Sequence, residues 1–328
     1  ISLLGVSQWY LEGTKYYGKA GFNQAKSYFS PDDITSLSGK IVAITGANAG
    51  LGFATAMETA KLQAEVHLLC RNAVKCEDAK KKIVDATGNT KIYCHTCDVS
   101  EMHSIRQFAT QFTVDIPRLD VLINNAGCMP TSKTMTTEGH EVIMATMLGG
   151  TMLLTDLLLP ALRKSEAARV INVSSGGAYS VAPRLQDLDF KSTSKYDGTL
   201  FYAVAKRNQI LLTEEWRKRL ESKNSAIYVT SMHPGWAATE GLQSAMKEFY
   251  ESNLSTLRSP EEGADTIVFL AANANGKVET NDASFWFDRK PARTTMPLSG
   301  TSCGEINRAE LWNNAAKYVG GVTIDTYD

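Results

Sequence analysis

Ile41-Val-Ala-Ile-Thr-Gly-Ala-Asn-Ala-Gly-Leu-Gly52 is the stretch that decides the fold of this chain. Ile41 to Thr45 is short, apolar and rich in β-branched residues, the composition of a buried parallel strand. Glycines follow at once, and Ala54 to Leu62 then reads as a helix. Strand, glycine-rich turn and helix in that order make an anion site. Gly46 allows the tight turn, Gly50 lets backbone approach a pyrophosphate, and Gly52 permits close helix–strand packing; Asn48 and Leu51 lie in the same turn. The turn's N–H groups and the helix dipole then favour a phosphate. The spacing is T-G-x-x-x-G-x-G rather than G-x-G-x-x-G, which marks a different branch of dinucleotide-binding proteins.

Working outward, strand-like and helix-like stretches alternate from Lys40 to about Ala272. Glu65–Cys70, Asp120–Asn124, Arg169–Ser174 and Ala226–Ser231 read as buried strands, with Ser284–Phe287 as the last. Lys75–Asp85, Val142–Leu162 and Phe201–Glu221 read as helices between them. This alternation predicts an α/β fold: a Rossmann-type doubly wound parallel sheet, three layers deep, in one domain. The expected layout is an aromatic-rich N-terminal extension over 1–38, the sheet domain over 39–290 and a polar tail over 291–328.

Composition narrows the function classes. The 34 Lys+Arg and 35 Asp+Glu nearly cancel, so no basic face for nucleic acid is expected. Met152 to Leu162, an apolar run, is interrupted by Asp156 and Pro160 and falls short of a membrane span. Six cysteines are too few for a disulfide scaffold, which indicates an intracellular, reducing compartment. Cys94 and Cys97 have C-x-x-C spacing, but Lys91–Asp98 reads as a strand, on which residues three apart face opposite sides. With no second such pair, no metal site is expected. Residues 1–30 hold seven aromatics and three lysines against one acid, Glu12. Two readings stand: docking on a membrane surface or protein partner, or packing back on the chain's own domain.

Two further features carry chemistry. After the second strand stands Cys70-Arg71, where an Asp or Glu would hold a ribose 2′-OH. A guanidinium there pairs with a 2′-phosphate, which favours NADP(H) over NAD(H). Tyr202-Ala-Val-Ala-Lys206 puts a phenol and an ammonium on one face of one helix. A cation near a phenol lowers its pKa toward the range needed for proton transfer at a carbonyl oxygen. Of the twelve tyrosines, Tyr202 alone has a lysine four residues on. Ser175 ends a strand and offers a hydrogen bond to the same substrate oxygen.

In order along 40–290 come Thr45-Gly46-x-x-x-Gly50-x-Gly52, Asp98-Val99, Asn124-Asn125-Ala126-Gly127, Ser174-Ser175, Tyr202-x-x-x-Lys206 and His233-Pro234-Gly235-x-x-x-Thr239. Together they resemble the short-chain dehydrogenase/reductase superfamily. Cys70-Arg71-Asn72, Leu185-Gln186-Asp187-Leu188 and Phe287-Asp288-Arg289-Lys290 resemble its retinol-dehydrogenase-like branch. The resemblance implies an NADP(H)-dependent oxidoreductase interconverting an alcohol and a carbonyl, with Tyr202 as acid/base. It further implies that Lys206 holds the nicotinamide ribose and tunes Tyr202, and that Ser175 positions the carbonyl. Asp98 and Val99 would contact the adenine, Asn125, Ala126 and Gly127 would back the cofactor, and Pro234, Gly235 and Thr239 would sit by the nicotinamide end. Homodimer pairing through the helices that hold Met147 and Tyr202 is common in the superfamily.

One position departs from the pattern. Met147 stands where the superfamily usually has an Asn that holds a proton-relaying water, and a thioether is a weak acceptor. Thr146 and Thr151 are the nearby candidates to replace it. The alternative expectation is therefore a weakly active or inactive cofactor-binding subunit of a larger, mitochondrial or membrane assembly. The segment between Trp236 and Leu257 carries Leu242, Met246, Phe249, Tyr250 and Leu254, which suits a lipophilic substrate as well as it suits helix packing. Cytoplasmic, membrane-associated and mitochondrial locations all fit these expectations.

Overall fold

The computed structural model describes residues 3–223, 225–273, 283–297 and 299–324. Two N-terminal helices, α1 (Leu3–Tyr16) and α2 (Lys19–Ala25), precede the alternating core. The core runs β1 (Ile41–Thr45), α3 (Gly50–Lys61), β2 (Glu65–Cys70), α4 (Ala73–Thr87), β3 (Ile92–Thr96), α5 (Met102–Asp115) and β4 (Val121–Asn124). A helical stretch follows: α6 (Val142–Met144), a wide π turn over Ala145–Gly149, and α7 (Gly150–Leu162). Next come β5 (Arg169–Val173), α8 (Gly198–Glu221), β6 (Tyr228–Met232), α9 (Glu240–Ala245), α10 (Lys247–Asn253) and α11 (Pro260–Ala272). The chain finishes with β7 (Phe285–Phe287), β8 (Lys290–Pro291) and α12 (Glu305–Tyr318).

The strands form one sheet in the order β3-β2-β1-β4-β5-β6-β7-β8, parallel from β3 to β7, with β8 antiparallel at the end. Strand order reverses between β1 and β4, so a crevice opens there beyond the carboxyl ends of the strands. Each face of the sheet carries its own core. Ala56, Ala60, Cys76, Ile83 and Ile267 bring α3, α4 and α11 onto one face. Ile105, Leu153, Leu211 and Trp312 bring α5, α7, α8 and α12 onto the other. These are the three layers the alternation predicts. Cys94 joins the first core and Cys97 the second, the opposite facing expected of a strand.

Helix ends follow local chemistry. Asn72 caps α4 by accepting from Lys75 N at 2.9 Å, and Gly88 ends it with φ +69°. Ser259 and Glu262 form a reciprocal capping box at α11, with Pro260 in its first turn. Val142–Leu162 is long and apolar enough to cross a membrane by composition, yet 89% of its apolar window is buried, as in a core helix.

Both terminal segments pack on the domain. Tyr17 and Phe22 are buried against the domain, while Tyr10 and Leu11 face outward. Residues 291–328, read as polar and aperiodic, supply α12, whose Leu311, Trp312 and Ala315 are fully buried. Trp312 meets Trp216 of α8 edge-on at 4.8 Å. Asp156 of α7 accepts from Thr323 N at 2.7 Å and from Ile324 N at 3.0 Å. Three apolar residues spaced i, i+1, i+4 among polar neighbours are a weak pattern, which is why the sequence understates this helix.

Candidate active site

The turn after β1 is held by Thr45 and Asn125. Thr45 Oγ1 accepts from both Asn125 N and Ala126 N at 2.9 Å, and Asn125 Nδ2 donates to Thr45 O at 2.9 Å. The loop after β4 is thereby locked to the turn after β1. Gly46 (φ +63°) and Gly50 (φ +54°) occupy the left-handed region that side chains rarely adopt. A Cβ on Gly52 would lie 2.3 Å from Gly46 O, so the helix starts against the turn itself. A Cβ on Gly50 would come within 3.3 Å of Thr239 Cγ2. Thr239 caps α9 by accepting from Leu242 N at 3.1 Å, which brings the loop after β6 to the glycine turn. Asn48 and Leu51 lie half-buried in the turn and at its helix start. The three glycines leave a cradle of backbone that fits a pyrophosphate.

At the end of β2, Arg71 is exposed while Cys70 beside it is buried. Asp98 and Val99 follow β3; Asp98 accepts from Ser100 N at 2.9 Å and from Ser100 Oγ at 2.7 Å, which fixes the loop. Pro234 and Gly235 follow β6, where Gly235 (φ +76°) sits against Arg258. The structure therefore brings residues 46–52, 71, 98–99, 125–127, 234–235 and 239 together along the carboxyl edge of one sheet.

Ser175, Tyr202 and Lys206 meet on the β5–α8 side of this edge. Ser175 Oγ accepts from Gly177 N at 3.1 Å and lies near enough to the Tyr202 phenol to pull its pKa down. Lys206 is 2% exposed; its Nζ donates to Val173 O at 2.7 Å and lies 5.6 Å from the Tyr202 ring. Ser174 Oγ donates to Lys206 O at 2.8 Å, tying α8 to the end of β5. Burial pushes the Tyr202 phenol up to about 12, against the pull of the nearby Ser175 hydroxyl. Burial also lowers Lys206 to about 7. The expectation that the lysine brings the tyrosine down toward neutrality is thus not met. Desolvation dominates both shifts and weakens the lysine's own charge.

Met147 is fully buried in the π turn. A Cβ on Gly127 would lie 3.3 Å from Met147 Sδ and 3.7 Å from Lys206 Nζ, so thioether and ammonium flank one glycine. Thr146 Oγ1 donates to Val142 O at 2.7 Å and lies 3.5 Å from Cys128 Sγ. Thr151 Oγ1 accepts from Gln209 Nε2 at 3.0 Å. Both threonine hydroxyls already have partners away from the lysine.

Sequence reasoning missed the ladder Thr155–Asn124–Asn172–Thr213, linked at 3.0, 2.9 and 2.9 Å, which braces the sheet under the site. It also missed the Arg258–Asp288 pair, bidentate at 2.6 and 2.9 Å and almost fully buried. Nothing in Leu257-Arg-Ser-Pro260 marks Arg258 as internal, because its partners lie far away in the chain.

Comparison with known proteins agrees with this geometry. The short chain dehydrogenase family profile matches residues 40–186. The chain is 38% identical over 312 residues to human dehydrogenase/reductase SDR family member 12, covering 95% of this chain and 96% of that one. It is 35% identical to mouse retinol dehydrogenase 11, covering 87% of each. Among solved structures, it matches a metagenomic short-chain oxidoreductase in complex with NADP, with TM-score 0.56 and 25% identity, over 77% of this chain and 97% of that one.

Proposed function

This chain belongs to the short-chain dehydrogenase family and is an oxidoreductase acting on alcohol or carbonyl groups; from that premise we propose that it uses NADP(H) on a lipophilic substrate, with Tyr202 as its acid/base. The observation that carries the reading is the gathering of Ser175, Tyr202 and Lys206 where β5 ends against α8, with Lys206 Nζ buried 5.6 Å from the Tyr202 ring, beside the glycine cradle. Gly46, Asn48, Gly50, Leu51 and Gly52 would hold the pyrophosphate. Arg71 would pair with a 2′-phosphate, Asp98 and Val99 would take the adenine, and Asn125, Ala126 and Gly127 would back the cofactor. Pro234, Gly235 and Thr239 would border the nicotinamide, which when bound supplies or accepts the hydride.

The protein's own residues handle the proton. Ser175 Oγ orients the substrate oxygen toward Tyr202 Oη. A phenol held near 12 is protonated at neutral pH, so Tyr202 stands ready to donate to a carbonyl oxygen as its carbon is reduced. Lys206, lowered to about 7, is poised to exchange a proton near working pH. In the reverse direction Tyr202 would act from its deprotonated form, as the base that takes the alcohol proton.

Met147 supports a second reading, in which the chain keeps its cofactor and turns over slowly because no water bridges to Lys206. The test is NADPH binding and oxidation against lipophilic aldehydes and ketones by native chain, Tyr202→Phe and Met147→Asn. We expect native turnover, a loss of roughly 10²–10⁴-fold in Tyr202→Phe, and unchanged NADPH affinity. Turnover unaffected by Tyr202→Phe would overturn the mechanism. Rescue of a silent native chain by Met147→Asn would establish the second reading. With α12 packed on α8 and the following residues bonded to α7, a monomer is favoured over pairing through those helices; sedimentation should return the 35.8 kDa of one chain.

A further inference from the structure

The N-terminal helices make contacts that proton and hydride transfer do not require. Tyr17 is 1% exposed, and its ring meets His233, Trp236 and Phe287 edge-on, with centroids at 4.7, 5.7 and 5.3 Å. Gly176, the residue after Ser175, also adjoins the ring: a Cβ there would lie 2.9 Å from Tyr17 Cε2. Tyr17 is thus wedged between the strand-end loop that carries Ser175 and the one that carries Pro234 and Gly235.

Backbone and charge hold the wedge in place. Tyr17 O accepts from Trp236 N at 2.8 Å, and Lys19 N donates to Thr256 O at 2.8 Å. Arg258, paired with Asp288, reaches Tyr16 O at 2.9 Å and, more distantly, Gly18 O and Pro234 O at 3.4 Å. One turn earlier, Gly13 admits the Trp236 ring: a Cβ on Gly13 would lie 2.4 Å from Trp236 Cζ2. Trp236 meets Phe249 of α10 edge-on at 5.2 Å. A Cβ on Gly177, the residue after Gly176, would contact only Ser175 Oγ, at 3.5 Å.

We propose that residues 13–18 are a built-in wall of the substrate end, and that Tyr17 is a positioning residue that holds the Ser175 loop and the Pro234–Trp236 loop at a fixed spacing. The inference rests on the reading above, in which the carbonyl lies by Ser175 and Tyr202. Its chemical logic is that two reacting groups on separate loops keep their geometry only if something spans them, and small displacements cost large factors in rate. The half-exposed Trp236 and Phe249 rings, set edge to face in front of the buried Tyr17, suit an extended or aromatic apolar carbonyl compound. The ring does the spanning, because Tyr17 Oη has only a long contact, 3.4 Å, to Glu12 Oε1.

Amide hydrogen exchange on the full chain tests this without needing the natural substrate. In Tyr17→Ala, exchange should rise by about tenfold or more within 174–180 and 233–238 while β1–β3 keep native protection. Tyr17→Phe should match the native chain, which ring spanning requires. Gly176→Ala should open the same two segments, with no added effect in the Tyr17→Ala background. Where 9,10-phenanthrenequinone is reduced, Tyr17→Ala should lose about tenfold or more in kcat/KM, with KM raised. Native exchange at both loops in Tyr17→Ala, or a uniform rise across the sheet, overturns the proposal. If Tyr17→Ala does not fold, the Gly176→Ala pattern decides instead. Failure of the native chain to bind NADPH would overturn the cofactor reading alone, since the exchange pattern is measured without it.

Discussion

The turn between β1 and α3 and the enclosure around Trp236 lie along the same carboxyl edge of one sheet, yet they are built from different materials. The turn is made of consecutive residues, 45 to 52, and its strongest ties are backbone groups meeting Thr45 and Asn125. The enclosure draws Tyr17, Gly176, Trp236, Arg258 and Phe287 from five separate places and joins them through rings and one buried ion pair. A phosphate needs N–H groups at one geometry, which a short glycine-rich turn supplies by itself. An apolar substrate needs a shaped surface, which only distant segments brought together can supply. The phosphate-binding turn is therefore largely local in the chain, and the enclosure around Trp236 is not.

The sharpest way to break this contrast is Arg258→Met. The substitution leaves Asp288 buried without its guanidinium and frees the carbonyls of Tyr16 and Gly18. Loss of one partner of a buried pair costs about 3–5 kcal/mol, to be read from urea unfolding. If the two ends are separable, NADPH should still protect the β1–α3 turn from exchange in this variant. Loss of that protection would mean that the enclosure also builds the turn.

A smaller effect is expected on the nucleotide side, where His67 Nδ1 and His95 Nε2 lie 2.8 Å apart between β2 and β3. Burial lowers both, His95 to about 4. The unfolded chain takes up protons below about 6.5 while the folded chain resists until near 4, so stability is intact above 6.5 and falls as pH drops through that window. The slope is at most about 1.4 kcal/mol per pH unit for each histidine, less for His95, which keeps a partly exposed edge. Urea midpoints at pH 7 and pH 5 should differ, and His95→Gln should reduce the difference. Equal midpoints would show that the pair is already charged at pH 7 or titrates normally.

The smallest effect concerns discrimination alone. Arg71→Ala should weaken NADPH by about 1.5–3 kcal/mol, the worth of a hydrogen bond to a charged group, and leave NADH nearly unchanged. Equal weakening of both cofactors would remove Arg71 from 2′-phosphate recognition.

Legibility in the sequence follows the same division. Ile41–Thr45 and Glu65–Cys70 are strands at the residues expected, because apolar β-branched runs bounded by turns need no distant partner to be read. Tyr202 and Lys206 were visible because helical spacing alone puts them on one face. Their protonation was not visible: the Tyr202 phenol is raised by burial, a property of everything packed around it. Nor was the role of the N-terminal aromatics. Tyr17 and Tyr10 look alike in sequence, yet one is 1% and the other 50% exposed. The polar residues around Trp312 likewise concealed a helix whose buried side chains complete one face of the core.

The sequence by itself determined the parallel α/β architecture, the phosphate-binding turn and the identity of the tyrosine–lysine pair, since each depends on spacing along a few neighbouring residues. Only the tertiary structure decided how the terminal helices pack on the domain, that Met147 and Lys206 flank Gly127, and that Tyr17 is buried between the loops after β5 and β6. Those features depend on contacts between distant parts of the chain, as from Tyr16 to Arg258, 242 residues apart. Contacts of that span arise from how whole elements pack, and no local pattern encodes them.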